Sequence, residues 1–236
     1  MERKAFQLLH DAESSWWYRG RVNVVARVLL QFATRSSDNT VLDIGSGWGG
    51  MFSTLSSYGK VIALEPDTEA QTSCSARRYT KVYGMTDLAT LEKEKHDLVG
   101  LFDVLEHVED DAQFLTDIHR TLTKDGVLIL TVPAFAFLWS NHDVTHHHYR
   151  RYSRAQLTAL LAREGFHVTY ASYWNMTLFF PTAITRLLGR SGESALQLPH
   201  LLDAIFYFII RIESFFIPSL ALPFGTGIII FSRKQS

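Results

Sequence analysis

Val41-Leu42-Asp43-Ile44-Gly45-Ser46-Gly47-Trp48-Gly49-Gly50 is the stretch whose reading decides the fold. A short apolar run carries a carboxylate near its end and then breaks into four glycines within six residues. Such a run reads as a buried parallel strand emptying into a tight turn that opens a helix. Glycine suits that turn because it tolerates positive φ and puts no side chain between the main chain and a ligand. A cofactor can therefore lie directly on the backbone here.

Two cofactor classes use such a turn. Gly45, Gly47 and Gly50 satisfy G-x-G-x-x-G, the dinucleotide pattern, while Gly45, Gly47 and Gly49 satisfy G-x-G-x-G. Asp43 favours one of them. A dinucleotide sets its pyrophosphate over this turn at the positive end of the helix, where a nearby carboxylate repels it. A ligand with an ammonium and a sulfonium gains from the same carboxylate, and S-adenosylmethionine carries both. A nicotinamide-dependent oxidoreductase stays open as the alternative, and requires Asp43 to point away from the pocket. A second apolar run, Val61-Ile62-Ala63-Leu64-Glu65-Pro66-Asp67, ends in an acid. It lies about 20 residues on, where a carboxylate grips ribose hydroxyls. Glu65 thus supports a nucleoside without naming its kind.

A third acid follows in Phe102-Asp103-Val104-Leu105-Glu106-His107-Val108. With Asp43-x-Gly45-x-Gly47-x-Gly49 and Glu65-Pro66, the order resembles the class I S-adenosylmethionine-dependent methyltransferases. It is most similar to the bacterial small-molecule branch that includes the ubiquinone-pathway O-methyltransferase. The resemblance covers nearly the whole chain; it is specific for cofactor and reaction, and poor for substrate. It implies a Rossmann-like α/β fold: a seven-stranded, mostly parallel sheet with helices on both faces and an antiparallel last strand beside the previous one. It implies S-adenosylmethionine contacts from Asp43, Gly45, Ser46, Gly47, Gly49, Glu65, Pro66, Asp103 and Val104. Relatives often place an acid after the glycine that follows the third strand, to meet the adenine amino group. Met85 stands there in this chain, so either Asp87 reaches the adenine or Met85 packs on the ring while main chain does the bonding, with Thr86 counted among the cofactor contacts.

Composition sets the outer bounds. The chain has 236 residues, enough for one good core, with 47% hydrophobic and 20% charged residues, a globular balance. A net charge of −1 argues against a nucleic-acid-coating surface. The single cysteine, Cys74, excludes an internal disulfide and a cysteine-rich metal site, and points to a reducing cytoplasm. The start, Met1 to Phe6, lacks the apolar core of a signal peptide. The uncharged stretch from Ser214 to Ser232 contains Pro218, Pro223, Gly225 and Gly227, which argue against an uninterrupted helix.

The expected layout is one domain: a lid or helix over 1–35, a cofactor-binding core over 36–175, a helical cover over 176–225 and a last strand over 226–236. Trp16-Trp17-Tyr18-Arg19-Gly20-Arg21 either fastens the first helix to the body or gates the cofactor, with Tyr18 stacking and Arg19 or Arg21 meeting the methionine carboxylate. Helices are expected over 51–58, 68–78, from 109–111 to about 124, and over 154–163. Further strands are expected around 81–87 with its exit loop, then at 96–102, 127–132, 166–173 and 226–233. Within the cover, 201–216 is apolar on most faces, so it packs on the body, pairs with a second copy, or touches a lipid-like substrate or a membrane.

His142, Asp143, His146, His147, His148, Tyr149, Arg150, Arg151 and Tyr152 form the densest reactive cluster. Adjacent side chains of an extended loop diverge, so no metal site is expected. A structural loop and an acceptor-side wall with a general base remain, the latter favoured because the loop leaves the carboxyl end of a central strand. Histidine is the natural base near neutral pH. His148 is the first candidate and His142 the second, with Tyr149 orienting the acceptor. The reading is methyl transfer to a small-molecule acceptor, O-methylation before N-methylation, with a lipid-like or glycan acceptor also open. A module that binds the donor without transferring methyl is the non-catalytic alternative.

Overall fold

The computed structural model describes residues 13–84, 91, 93–187 and 198–235. Seven strands run in the chain order β1 (Thr40–Ile44), β2 (Lys60–Leu64), β3 (Lys81–Tyr83), β4 (His96–Phe102), β5 (Leu122–Pro133), β6 (Phe166–Trp174) and β7 (Gly227–Lys234). They form one sheet of order β3-β2-β1-β4-β5-β7-β6. The first five are parallel to their neighbours, while β7 runs antiparallel between β5 and β6. This is the Rossmann-like sheet that the family resemblance implies. β1 lies inside the sheet between β2 and β4, and its Val41, Leu42 and Ile44 are buried, as both-face coverage of a parallel strand demands.

Its register does the positioning. Asp43 sits opposite Ala63 of β2 and Gly100 of β4. Glu65 and Asp103 each follow the last residue of those two neighbouring strands. All three acids therefore reach the same edge, beyond the carboxyl ends of adjacent parallel strands, where ligands bind in such sheets.

The helices are α1 (Trp16–Phe32), α2 (Phe52–Leu55), α3 (Thr68–Ala76), α4 (Asp111–Thr121), α5 (Asn141–Thr145), α6 (Arg154–Arg163), α7 (Phe179–Leu187) and α8 (His200–Phe216). Asp67 caps α3 by accepting from Glu69 and Ala70, and Ser153 with Gln156 makes a capping box at α6. Three bounds differ from expectation. The first crossover helix is only four residues, after which Tyr58 N–H bonds Leu55 O at 2.8 Å and the chain turns. β3 stops at Tyr83, and Met85 and Thr86 lie outside the described residues. α4 ends at Thr121 because β5 starts at Leu122, which pairs with His96 ahead of a register irregularity in β4.

The cover also departs from a simple cap on the sheet. α8 packs mainly along α1: a Cβ on Gly20 would lie 2.6 Å from Ile210 Cγ2, and Trp16 meets Phe206 edge-on at 5.4 Å. Glu213 ties α8 to the exit of β6, accepting from the main-chain N–H groups of Asn175 (2.5 Å), Met176 (2.9 Å) and Thr177 (3.0 Å). Buried hydrogen bonds to a charged acceptor exceed those to a neutral one. Glu213→Gln is accordingly expected to lower unfolding free energy by about 1–2 kcal/mol, read from urea denaturation; an unchanged midpoint would show that α8 is not held there. Among the described residues no helix is long and apolar enough to cross a membrane.

Candidate active site

The glycine turn is built as a bed. Gly45, Gly47 and Gly49 all have positive φ (67°, 54° and 82°). A Cβ on Gly45 would lie 2.5 Å from Val104 Cγ2, and one on Gly49 would lie 2.8 Å from Arg77 Cδ. A Cβ on Gly47 would meet nothing within 4 Å, so the open space lies over Gly47. Ser46 turns inward, its hydroxyl 3.3 Å from Cys74 Sγ. Pro66 is exposed at the rim.

Two carboxylates face this bed. Asp43 is 1% exposed; its Oδ2 accepts from Tyr79 Oη at 2.7 Å, and its Oδ1 has no hydrogen-bond partner among the described residues. Burial pushes its pKa up to about 7, with Glu65 adding to the rise and Tyr79 and Arg21 opposing it. Glu65 accepts from Gly47 N–H at 2.7 Å and Asp67 N–H at 3.0 Å, which fixes its carboxylate against the loop. Burial raises its pKa too, against those two main-chain bonds. A buried acid with a bare oxygen beside a second acid suits a cation. The site therefore fits a ligand with positive charge, and disfavours a pyrophosphate.

Asp103, with φ of 59°, pairs with Arg21 and accepts from Thr131 Oγ1 at 3.3 Å. Arg21 is 7% exposed, stacks 4.5 Å over Tyr18 and lies close enough to Asp43 to lower its pKa. Arg21 thus pairs with Asp103, and Arg19 with Asp203 of α8. The Tyr18 hydroxyl and the Glu13 carboxylate occupy the space where a Cβ on Gly50 would stand. α1 therefore closes on the far end of the glycine loop.

The histidine segment is folded rather than extended. α5 coils residues 141–145, and Tyr149 N–H bonds Glu106 O at 2.8 Å, pinning the segment to the turn after Asp103. Asp143 is its hub: His148 Nδ1 lies 2.9 Å from Oδ1, Arg151 Nε 2.7 Å from Oδ1, Arg151 Nη2 3.0 Å from Oδ2 and Ser140 N 2.9 Å from Oδ2. Burial alone would raise the Asp143 carboxyl, but the bonds from His148 and Arg151 outweigh it and hold it below the usual range. His148 packs edge-on to His107 at 4.6 Å between ring centres. The His142 ring lies tilted to that of His146, 4.2 Å between centres, and burial, then His146 and Arg186, push its pKa down to about 3. Tyr149 is 53% exposed. Asp103 is near enough to Glu106 and His107 to act on both electrostatically, so the acids and the histidines share one end of the sheet.

One residue carried no signal in sequence. Tyr79 lies in no motif, and only a buried acid across from it gives its hydroxyl a purpose. Arg151, one of the reactive cluster, pairs with buried Asp143.

The methyltransferase-domain family model matches residues 16–171. The chain is 29% identical over 192 residues to a probable S-adenosylmethionine-dependent methyltransferase of Mycolicibacterium smegmatis, covering 79% of this chain and 71% of that one. It is 24% identical over 150 residues to the ubiquinone biosynthesis O-methyltransferase of Rickettsia typhi, covering 56% and 61%. A SAM-dependent methyltransferase from Archaeoglobus fulgidus superposes with a TM-score of 0.60 at 15% identity, over 92% of this chain and 94% of that one. A family match across most of the chain, on a sheet whose acids gather at one edge, means that this protein belongs to the class I S-adenosylmethionine-dependent methyltransferases.

Proposed function

We propose that the chain methylates a hydroxyl of a small-molecule acceptor, with His148 as the proton acceptor. The observation that carries this is the bond between His148 Nδ1 and buried Asp143, at 2.9 Å. A carboxylate on Nδ1 fixes the tautomer and leaves Nε2 as the lone pair. His142 is the weaker candidate, because a group whose pKa falls to about 3 takes a proton poorly.

Bound over the glycine loop, S-adenosylmethionine supplies a methyl group on a positively charged sulfur. Asp43, Gly45, Ser46, Gly47, Gly49, Glu65 and Pro66 form our assigned donor bed, with Asp103, Val104, Tyr18 and Arg21 at its edge. Asp43 Oδ1 is free to meet the ammonium, and Glu65 the ribose. Arg21 would have to share Asp103 to reach the donor's carboxylate. Transfer disperses the sulfonium charge, so alignment contributes more than an oxyanion pocket.

His148→Ala is expected to lower turnover about 10²- to 10⁴-fold with donor affinity nearly unchanged, measured by product formation and calorimetry. Full turnover would remove it from the reaction. N-methylation, or a lipid-like or glycan acceptor in place of a ubiquinone-type phenol, would appear in an acceptor panel.

We also infer a single domain with 1–35 as lid and 176–225 as cover, acting in the reducing cytoplasm that a lone thiol favours. The outer face of α8 exposes Leu201 (74%), Phe208 (61%) and Phe216 (57%). Such a face favours contact with a second copy or a lipid surface. Concentration-dependent mass measurement and vesicle flotation separate the two.

A further inference from the structure

Glu106, His107 and His148 each offer a ligand atom, and those atoms lie within 4.8 Å of one another. The geometry points to a divalent metal site at this triad, for an ion of the Zn²⁺ or Mn²⁺ kind. Glu106 is 1% exposed, and neither carboxylate oxygen has a hydrogen-bond partner among the described residues. A buried carboxylate with no partner is costly and calls for an explanation. The two imidazoles beside it are also prepared as ligands. His148 has its Nδ1 on Asp143 at 2.9 Å, which leaves Nε2 for an ion. His107 packs edge-on against His148, 4.6 Å between ring centres, so the two rings are held side by side. Outer anchors such as Asp143 orient the histidine ligands of metal sites.

The donor set sorts the ions. Two imidazoles with one carboxylate suit divalent transition metals and zinc, and are poor for Mg²⁺ or Ca²⁺, which prefer oxygen. Ligand atoms of a tetrahedral site stand roughly 3.3 Å apart, so the triad closes slightly around the ion. His107 is exposed, which gives the ion a way in and leaves an open coordination position.

The inference rests on reading this end of the sheet as the acceptor side. An acceptor hydroxyl on the ion would lose its proton to solvent more readily. Its oxygen then bonds the methyl carbon, the carbon–sulfur bond breaks, and that electron pair stays on sulfur, releasing the demethylated donor and one proton. With the ion bound, His148 is a ligand, and the ion replaces it as the group that promotes ionisation.

The test uses the full chain, stripped with a chelator and titrated by calorimetry with Zn²⁺ alone and with Mn²⁺ alone, without methyl donor. One ion per chain is expected, with Co²⁺ giving visible bands of nitrogen ligation. Glu106→Gln and His107→Asn should each weaken binding at least tenfold, while His147→Asn, a neighbour at positive φ that asparagine tolerates, should not. Exposed His107 can be replaced without disturbing the core, so its variant remains informative if Glu106→Gln unfolds. No saturable binding of either ion, or unchanged affinity in the folded variants, would overturn the site. Donor affinity, titrated separately, reports on the methyltransferase reading alone.

Discussion

Asp143→Ala is expected to cost about 3–5 kcal/mol of folding stability, the largest loss from any single substitution considered for this chain. The reason is the company it keeps. Arg151 is bound to it through both Nε and Nη2, and its side chain is almost wholly buried with it. Arg186 lies 3.7 Å from Oδ2. Removing the acid leaves two cations facing each other without their counterion. Burial and Arg151 already push the Arg186 pKa down to about 10, so the repulsion between them is real even with Asp143 in place. Asp143→Asn keeps the shape and should lose less, because the amide still accepts one bond. Denaturant melts of the two variants check this, and equal stabilities for wild type and Asp143→Ala would refute the hub.

Asp43→Ala and Glu65→Ala are each expected to weaken methyl-donor binding well beyond tenfold, more than about 1.4 kcal/mol. Asp43 adds a pH signature. Its pKa is raised to about 7 in the free protein, and a cationic donor binds the ionised form. Donor affinity should therefore rise with pH up to about 7 and level off above it. Below, it should fall up to about tenfold per pH unit, with a proton released on binding. For the free protein the sign is opposite. The folded state holds a proton that the unfolded chain has lost, so this group's contribution to stability declines from about pH 4 towards 7 and stays low above. Calorimetry in buffers of different ionisation enthalpy counts the proton. A pH-independent affinity, or full binding in both alanine variants, would remove the two acids from the donor bed.

The sheet and its acid-bearing edge were readable because each depends on local chemistry. Apolar runs that stop at Asp43, Glu65 and Asp103 mark strand ends, and parallel pairing brings strand ends together. The antiparallel β7 came from resemblance, since Gly227-Ile228-Ile229-Ile230-Phe231 does not declare its direction. The histidine segment was harder. A short helix over Asn141–Thr145 has too few residues for periodicity to show, so an extended loop with diverging side chains was the natural reading. Coiling changed which rings meet. Likewise, the apolar pattern of α8 told that it needs a partner and did not tell that α1 is that partner. Arg19 and Arg21 read as ligands for a carboxylate, and both found one within the protein.

Those two arginines sit two positions apart on α1 and grip in different directions. Arg21 holds Asp103 at the sheet, and Arg19 holds Asp203 on α8, while Tyr18, just ahead of both, rests on Gly50. Lifting α1 off the glycine loop therefore means dragging α8 along or parting the Arg19–Asp203 pair. α1 and α8 are in this way clamped as one block against the glycine loop, so Asp203→Ala is expected to loosen the hold on Gly50 from a distance.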